Sequence, residues 1–385
     1  MNWFDCTRRW PVNGTDTSRI AFFIPSMNGG GTEKVVLLLA NAAAKSGYKI
    51  DLVLSQKKGP LLSKINQNVN VIDLGGWHLY SPFLGFAKYL KDNKPSVVFS
   101  ALNGGNLMAL IAAKVANSEC RLVFSVHNHL GEKWSKHNRI QRQLVYRVIK
   151  SVLSRSSRVV AVSGKIRSHL IEEFGLTADF VLHLPNPVDV DAIEMSKIGD
   201  APHPWLLEKQ CPVIITAGRL TLQKNYGMLI RAFTQVTAER EARLIVLGEG
   251  EELKGLKALC KKLDVEDRVL FPGFVSNPLQ WFFYADLFAL SSQWEGSPLV
   301  LLDAMAMGMP IVATDCPSGP RELLETYPKS RLVSVNDDEE FAKGIGSLLA
   351  RLKEFQRSES FLKTHDPLNI FRRYLKFAND LGGSE

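Results

Sequence analysis

At 385 residues the chain is too long for one small core, and a prior of roughly 100–200 residues per domain gives two domains. Hydrophobic residues make up 45% and charged residues 22%, which sets aside the disordered and fibrous classes. A formal net charge of +8 admits nucleic acid, anionic lipid or phosphorylated ligands as partners, and no apolar run reaches the ~18 residues of a membrane-spanning helix.

The first segment, residues 1–18, reads as an extension. Arg8 and Arg9 have no apolar core behind them, so it is not a secretory signal. From residue 19 to 190 short β-rich runs alternate with segments of helical period, beginning with Ile20–Pro25 and then Thr32–Lys45. Repeated strand–helix units predict an α/β fold with a parallel, doubly wound sheet. Gly29-Gly30-Gly31-Thr32 joins the first strand to its helix. Gly30 and Gly31 let a ligand approach the backbone, although a tight turn needs them equally. Asn103 follows the run Ser96–Leu102, and His127 ends the run Leu122–His127. In an open parallel sheet such positions face ligand, yet a lone histidine there is often structural. His127, His129 and His137 lack a closed zinc ligand set.

Between Lys133 and Arg167 there are ten Lys and Arg residues and no acidic one. Leu144, Val145, Val148, Ile149, Val152 and Leu153 interleave there at helical spacing. This pattern predicts a surface for anionic membrane lipid, with a plain solvated helix face as the competing reading. With only Trp134 and Tyr146 for stacking, nucleic acid is not expected as a partner. Cys6, Cys120, Cys211, Cys260 and Cys316 are scattered and odd in number, which predicts free thiols in a reducing cytoplasm.

Prolines at 185, 187, 202, 204 and 212 interrupt the alternation, and residues 191–211 are expected to form a hinge. A second strand–helix domain then spans 212–366, and a helix over 367–382 is expected to pack back on the first domain. Gly218, Arg219 and Lys224 follow the apolar run Val213–Ala217. Two cations in a strand-to-helix loop suit a diphosphate, Arg forking onto two oxygens and Lys acting as a point charge. Glu295, Gly296, Ser297 and Pro298 follow the run Leu287–Ser291, and Leu299, Val300 and Asp303 begin the next helix. Its first-turn amides suit phosphate oxygens, and the carboxylates suit sugar and ribose hydroxyls.

Glu295 to Asp303 resembles the E-x7-E motif of the retaining family 4 glycosyltransferases, which have two Rossmann-like domains in the GT-B arrangement. Gly218-Arg219 with Lys224 is similar to that family's donor-phosphate clamp. Pro185-Asn186-Pro187-Val188-Asp189 resembles its junction element, Gly29-Gly30-Gly31 its first glycine loop, and His127 its N-domain histidine. Cys316 to Glu322 looks like a variant common in bacterial surface-polysaccharide enzymes. The resemblance implies a hexosyltransferase whose first domain takes a glycan or lipid-linked acceptor and whose second takes a nucleotide sugar, most simply a UDP-sugar. It implies that Arg219, Lys224, Glu295 and His127 serve catalysis, and that no metal or cofactor is required. Asn103 and Asn186 are candidate acceptor or sugar contacts. It further implies a cytoplasmic protein held peripherally at the inner face of the cell membrane. Asp303 stands where the motif has Glu, and Pro187 where the junction has Gly. A sugar-nucleotide epimerase or phosphorylase of the same architecture is the competing enzyme, and a non-catalytic sugar-binding protein the competing non-enzyme.

Overall fold

The computed structural model describes residues 18–75, 81–127, 139–352 and 360–380. The expected amino-terminal extension, together with Lys133, Trp134, Lys136, His129 and His137, lies outside the described residues. The chain divides into two compact units, one running to Pro187 and resuming at His365, the other Val188–Thr364.

The first unit is built on strands β1 (Ile20–Ile24), β2 (Ile50–Leu54), β3 (Val69–Asp73), β4 (Val97–Ala101), β5 (Arg121–Val126), β6 (Arg158–Ala161) and β7 (Val181–His183). They form one sheet in the order β3-β2-β1-β4-β5-β6-β7. The second unit holds β8 (Val213–Ala217), β9 (Arg243–Leu247), β10 (Val269–Gly273), β11 (Leu287–Leu290), β12 (Ile311–Thr314) and β13 (Ser330–Val333), ordered β10-β9-β8-β11-β12-β13. Every pairing is parallel. Parallel strands covered on both faces read as unbroken apolar runs, and all five residues of both β1 and β8 are buried. Both sheets reverse direction of winding once, between β1 and β4 and between β8 and β11. Ligands of doubly wound sheets sit beyond the carboxyl ends of the strands at such switch points.

The 191–211 stretch is not a free linker. It carries helices Val190–Ser196 and Pro204–Leu207, with Ile193 and Leu206 buried in the second unit's core. Pro204 sits at the start of its helix, where its missing N–H costs nothing, so proline marks a helix start here and not a hinge.

Helix Pro367–Asn379 belongs to the first unit and packs against helix Gly31–Lys45. Asp366 caps its start, accepting from the Asn369 amide at 2.8 Å. Phe371 lies 5.1 Å from Tyr48 and 6.2 Å from Phe22, and Tyr374 lies 5.7 Å from Phe99. Burying each such side chain contributes roughly 1.5–3 kcal/mol. Arg121 closes the far end, donating to the Ala378 carbonyl at 3.2 Å and Asn379 Oδ1 at 2.5 Å. No helix among the described residues is long and apolar enough to cross a membrane.

Candidate active site

In the second unit the residues singled out above gather where the switch point predicts. The loop Gly218–Asn225 leaves β8, and Ser291–Pro298 leaves its neighbour β11. The two loops are tied together by one backbone bond and two from side chains to backbone carbonyls. The Gln293 amide donates to the Gln223 carbonyl at 2.8 Å, Gln223 Nε2 to the Trp294 carbonyl at 2.8 Å, and Ser291 Oγ to the Lys224 carbonyl at 2.7 Å. Across this seam Lys224 Nζ lies 2.5 Å from Glu295 Oε1. Ser292 Oγ donates to the same oxygen at 2.6 Å.

Glu295 is 8% exposed and the Lys224 side chain 16%, so the pair is largely out of water. Lys224 thus holds a carboxylate here, where the sequence assigned it to phosphate. The nearest anion available to it is Glu295. Arg219 is exposed on the same loop, and no ion pair holds it among the described residues.

The end of β12 and the loop after it brace the backbone of the Glu295 loop. Thr314 Oγ1 donates to the Ser292 carbonyl and Ser318 Oγ to the Glu295 carbonyl, both at 2.5 Å. Gly319 adopts φ +91°, and a Cβ there would stand 2.9 Å from the Gly296 carbonyl oxygen. On the other flank, a Cβ on Gly248 would meet the Gly218 carbonyl oxygen at 2.0 Å. Only glycine lets the loop after β9 press so closely on the clamp loop.

Pro298 precedes helix Leu299–Ala306, whose cap provides no side-chain acceptor. The first-turn amides at Leu299 and Val300 therefore keep the anion affinity of a helix start. Asp303 lies on that helix, 3% exposed. Burial pushes the Cys316 thiol up to about 12, and the Glu295 charge adds to it. The thiol is therefore protonated at neutral pH and no nucleophile. Among the described residues no three His, Cys, Asp or Glu side chains gather as a metal site.

The remaining candidates lie on the first unit. Gly30 and Gly31 follow β1, Asn103 follows β4 and His127 follows β5, on three adjacent strand ends. Asn186 follows β7, two strands away from β5, and is buried. His127 Nε2 is 3.0 Å from Ser125 Oγ. Burial pushes its imidazole down to about 4, so the ring is neutral at pH 7. The folded value lies below the ordinary ~6.5, so this term is harmless above pH 6.5 and costs stability as pH falls towards 4. Between about pH 7 and about pH 4.5, urea unfolding of the wild type is expected to lose roughly 2–3 kcal/mol more than His127→Gln. Parallel pH profiles would show that the ring titrates as an ordinary surface group.

Sequence reasoning did not find Ser292, Gln223, Ser318 and Gly248. Gly248-Glu249-Gly250, directly after β9, was legible as a second glycine pair at the same sheet edge. The serines carry no pattern of their own, and their role appears only when three loops meet.

Comparison with known proteins agrees with this geometry. The family model "Glycosyl transferases group 1" matches residues 200–358 and "Glycosyltransferase Family 4" residues 29–192. An N-acetylgalactosamine-N,N'-diacetylbacillosaminyl-diphospho-undecaprenol 4-alpha-N-acetylgalactosaminyltransferase of Campylobacter jejuni is 27% identical, over 93% of this chain and 99% of that one. A UDP-Gal:alpha-D-GlcNAc-diphosphoundecaprenol alpha-1,3-galactosyltransferase of Escherichia coli is 25% identical, over 82% of this chain and 84% of that one. In fold, the crystal structure of Anabaena HepE in complex with UDP and glucose matches with a TM-score of 0.78 at 20% identity, over 94% of this chain and 100% of that one. Two doubly wound sheets, a cationic loop and a braced glutamate at the second switch point, and both family models lead to one conclusion: the chain belongs to the family 4, group 1 glycosyltransferases, enzymes of the GT-B fold.

Proposed function

We propose that this enzyme moves a sugar from a nucleoside diphosphate sugar, a UDP-sugar, to a hydroxyl of a lipid-linked glycan, with retention of configuration, in the assembly of a cell-surface polysaccharide. The observation that carries this is the placement of Arg219, Lys224 and Glu295 on the two loops that flank the second switch point. The names of the two relatives above, which carry diphosphoundecaprenol acceptors and in one case UDP-Gal, support the substrate classes.

In this reading the diphosphate takes Lys224 from Glu295. Arg219 forks onto it, and the amides of Gly296, Ser297, Leu299 and Val300 complete its cradle. The bond from the anomeric carbon to the leaving phosphate oxygen breaks, and the two cations hold the negative charge that builds there. The acceptor hydroxyl bonds to the same carbon on the same face and gives its proton to the departing phosphate. Arg219 and Lys224 do the charge work for which other transferases use a metal, and no cofactor is required. Glu295, released from Lys224, accepts hydrogen bonds from the donor sugar's hydroxyls. Asp303 serves the ribose, with one methylene less reach than Glu. Gly218 and Pro298 shape the donor loops, Gly30 and Gly31 serve the donor, His127 serves catalysis at a sugar or acceptor hydroxyl, and Asn103 and Asn186 contact acceptor or sugar. The basic face of helix Arg139–Leu153, with Arg147 and Lys150 exposed, holds the enzyme peripherally at the inner, cytoplasmic face of the membrane.

A thermal-shift screen against UDP-, GDP- and ADP-sugars tests the donor. A true donor at about 100 times its Kd stabilises by about 2.7 kcal/mol. Incubation of the stabilising donor, radiolabelled, with lipid-linked acceptors tests the reaction. Free epimerised nucleotide sugar without glycoside would overturn it. Flotation on vesicles with and without anionic lipid tests the membrane assignment, which fails if low-salt binding ignores the anionic lipid.

A further inference from the structure

Away from the donor loops, the first unit holds an apolar groove of ≈ 330 Å³ between helices Asn103–Val115 and Arg139–Leu153. That volume sits at the lower end of the roughly 300–1,000 Å³ of ligand clefts. Ile149 and Val152 are buried beneath it. Leu107 stands on one rim, and Leu144 and Val148, 63% and 46% exposed, on the other. Leu144 and Val148 are one turn apart and share a face. Ile111 and Val115 continue the Leu107 row along its helix, also exposed. Single exposed aliphatic residues need no explanation, but two neighbouring rows beside an apolar groove mark a binding surface.

One end of the groove is polar. Asn106 lines it, is 1% exposed, and has both its carboxamide oxygen and nitrogen without a hydrogen-bond partner among the described residues. Buried carboxamides are almost always paired, and this one has its hydrogen-bonding capacity open to whatever enters the groove. It lies in the first turn after β4, at the carboxyl edge of the sheet where such folds bind ligands. Charge completes the pattern. Arg147 is exposed on the same helix, three residues from Leu144 and next to Val148, and residues 133–171 include no acidic side chain. A neutral hydrocarbon has no use for cations, and a free anion has no use for the apolar rows. An amphiphile with a hydrocarbon chain and a phosphate uses both.

We propose that this groove binds the hydrocarbon chain of the enzyme's own acceptor, end-on, with Asn106 hydrogen-bonding the polar junction where the chain meets its phosphate. Arg147, on the rim beside Leu144 and Val148, supplies countercharge. The proposal rests on the lipid-linked acceptor assigned above. It commits to a single inserted molecule and not to the bilayer surface, because a carboxamide 1% exposed is out of reach of a flat membrane.

Farnesyl diphosphate is the probe, with inorganic diphosphate and anionic phosphatidylglycerol vesicles as the separating arms. Titration of the full-length wild type is expected to show farnesyl diphosphate binding at least tenfold tighter than inorganic diphosphate. Val148→Trp fills the groove mouth from an exposed position and is expected to weaken farnesyl diphosphate at least tenfold, leaving inorganic diphosphate and the UDP-sugar thermal shift unchanged. Asn106→Leu removes the unpaired carboxamide, so it is expected to melt at a higher temperature than wild type and yet bind the probe more weakly. A merely structural asparagine would not separate those two readouts. Equal affinity of wild type and Val148→Trp for farnesyl diphosphate overturns the proposal. So does equal binding of the two diphosphates by the wild type, or association with vesicles alone. Any of these results with UDP-sugar binding intact removes the groove and leaves the transferase standing. Loss of the UDP-sugar shift in the wild type would instead remove the reading beneath it.

Discussion

Lys224→Ala is expected to lower kcat for sugar transfer on the order of 10²–10³-fold, the size of effect seen when one preorganised donor to a developing oxyanion is removed. The same substitution acts on stability. It strips the counterion from Glu295, which is 8% exposed and among the described residues keeps the Ser292 hydroxyl at 2.6 Å as its side-chain partner. Breaking a fully buried pair costs about 3–5 kcal/mol, and with Lys224 itself 16% exposed the lower end applies. The two effects separate in the double variant Lys224→Ala/Glu295→Gln. Neutralising the stranded carboxylate should restore most of the lost stability and none of the lost kcat. Urea unfolding and steady-state kinetics on the four proteins of the cycle test this. A Lys224→Ala enzyme with kcat within twofold of wild type would show that the lysine serves only to hold the loop.

Glu295→Gln carries the second large effect. The substitution keeps the side chain's shape and an acceptor oxygen for Lys224 and Ser292, so the three-loop junction should survive. It removes the charge. Hydrogen bonds from sugar hydroxyls to a carboxylate are worth about 1.5–3 kcal/mol, so kcat/KM should fall roughly 10- to 100-fold. The diphosphate no longer has to take Lys224 from a carboxylate, so the thermal shift given by the nucleoside diphosphate alone should be at least as large as in the wild type. If the free nucleoside diphosphate loses affinity in step with kcat/KM, Glu295 acts on the phosphate clamp and not on the sugar.

The two sheets were legible because parallel strands announce themselves as continuous apolar runs, as in Ile20–Ile24 and Val213–Ala217. Strand ends differ from expectation by a residue, as where the run Ser96–Leu102 extends beyond the strand Val97–Ala101 at both ends. The cations and Glu295 were legible because each lies in a loop that leaves the carboxyl end of a strand. What the sequence withheld is what depends on loops meeting in space. The Lys224–Glu295 pair joins residues 71 positions apart, and the Ser318 brace on Glu295 spans 23. Residues 191–211 were misread as a hinge because proline has two local meanings, a break in regular structure and a helix start, and only burial of Ile193 and Leu206 decides between them. Asn106 escaped notice because an asparagine near a helix start is ordinary in sequence. Its lack of a partner is visible only in three dimensions.

The placement of helix Pro367–Asn379 sets an order on synthesis. The second unit is one uninterrupted stretch, Val188–Thr364, and can close its core as soon as that stretch has left the ribosome. The first unit, although most of it precedes the second in the chain, must wait for helix Pro367–Asn379 to be translated before Phe371 and Tyr374 cover Phe22, Phe99 and Tyr48. The usual amino-to-carboxyl sequence of domain completion is therefore inverted here. The nascent first unit stays unfinished, with part of its apolar surface open, until the second unit has been made in full.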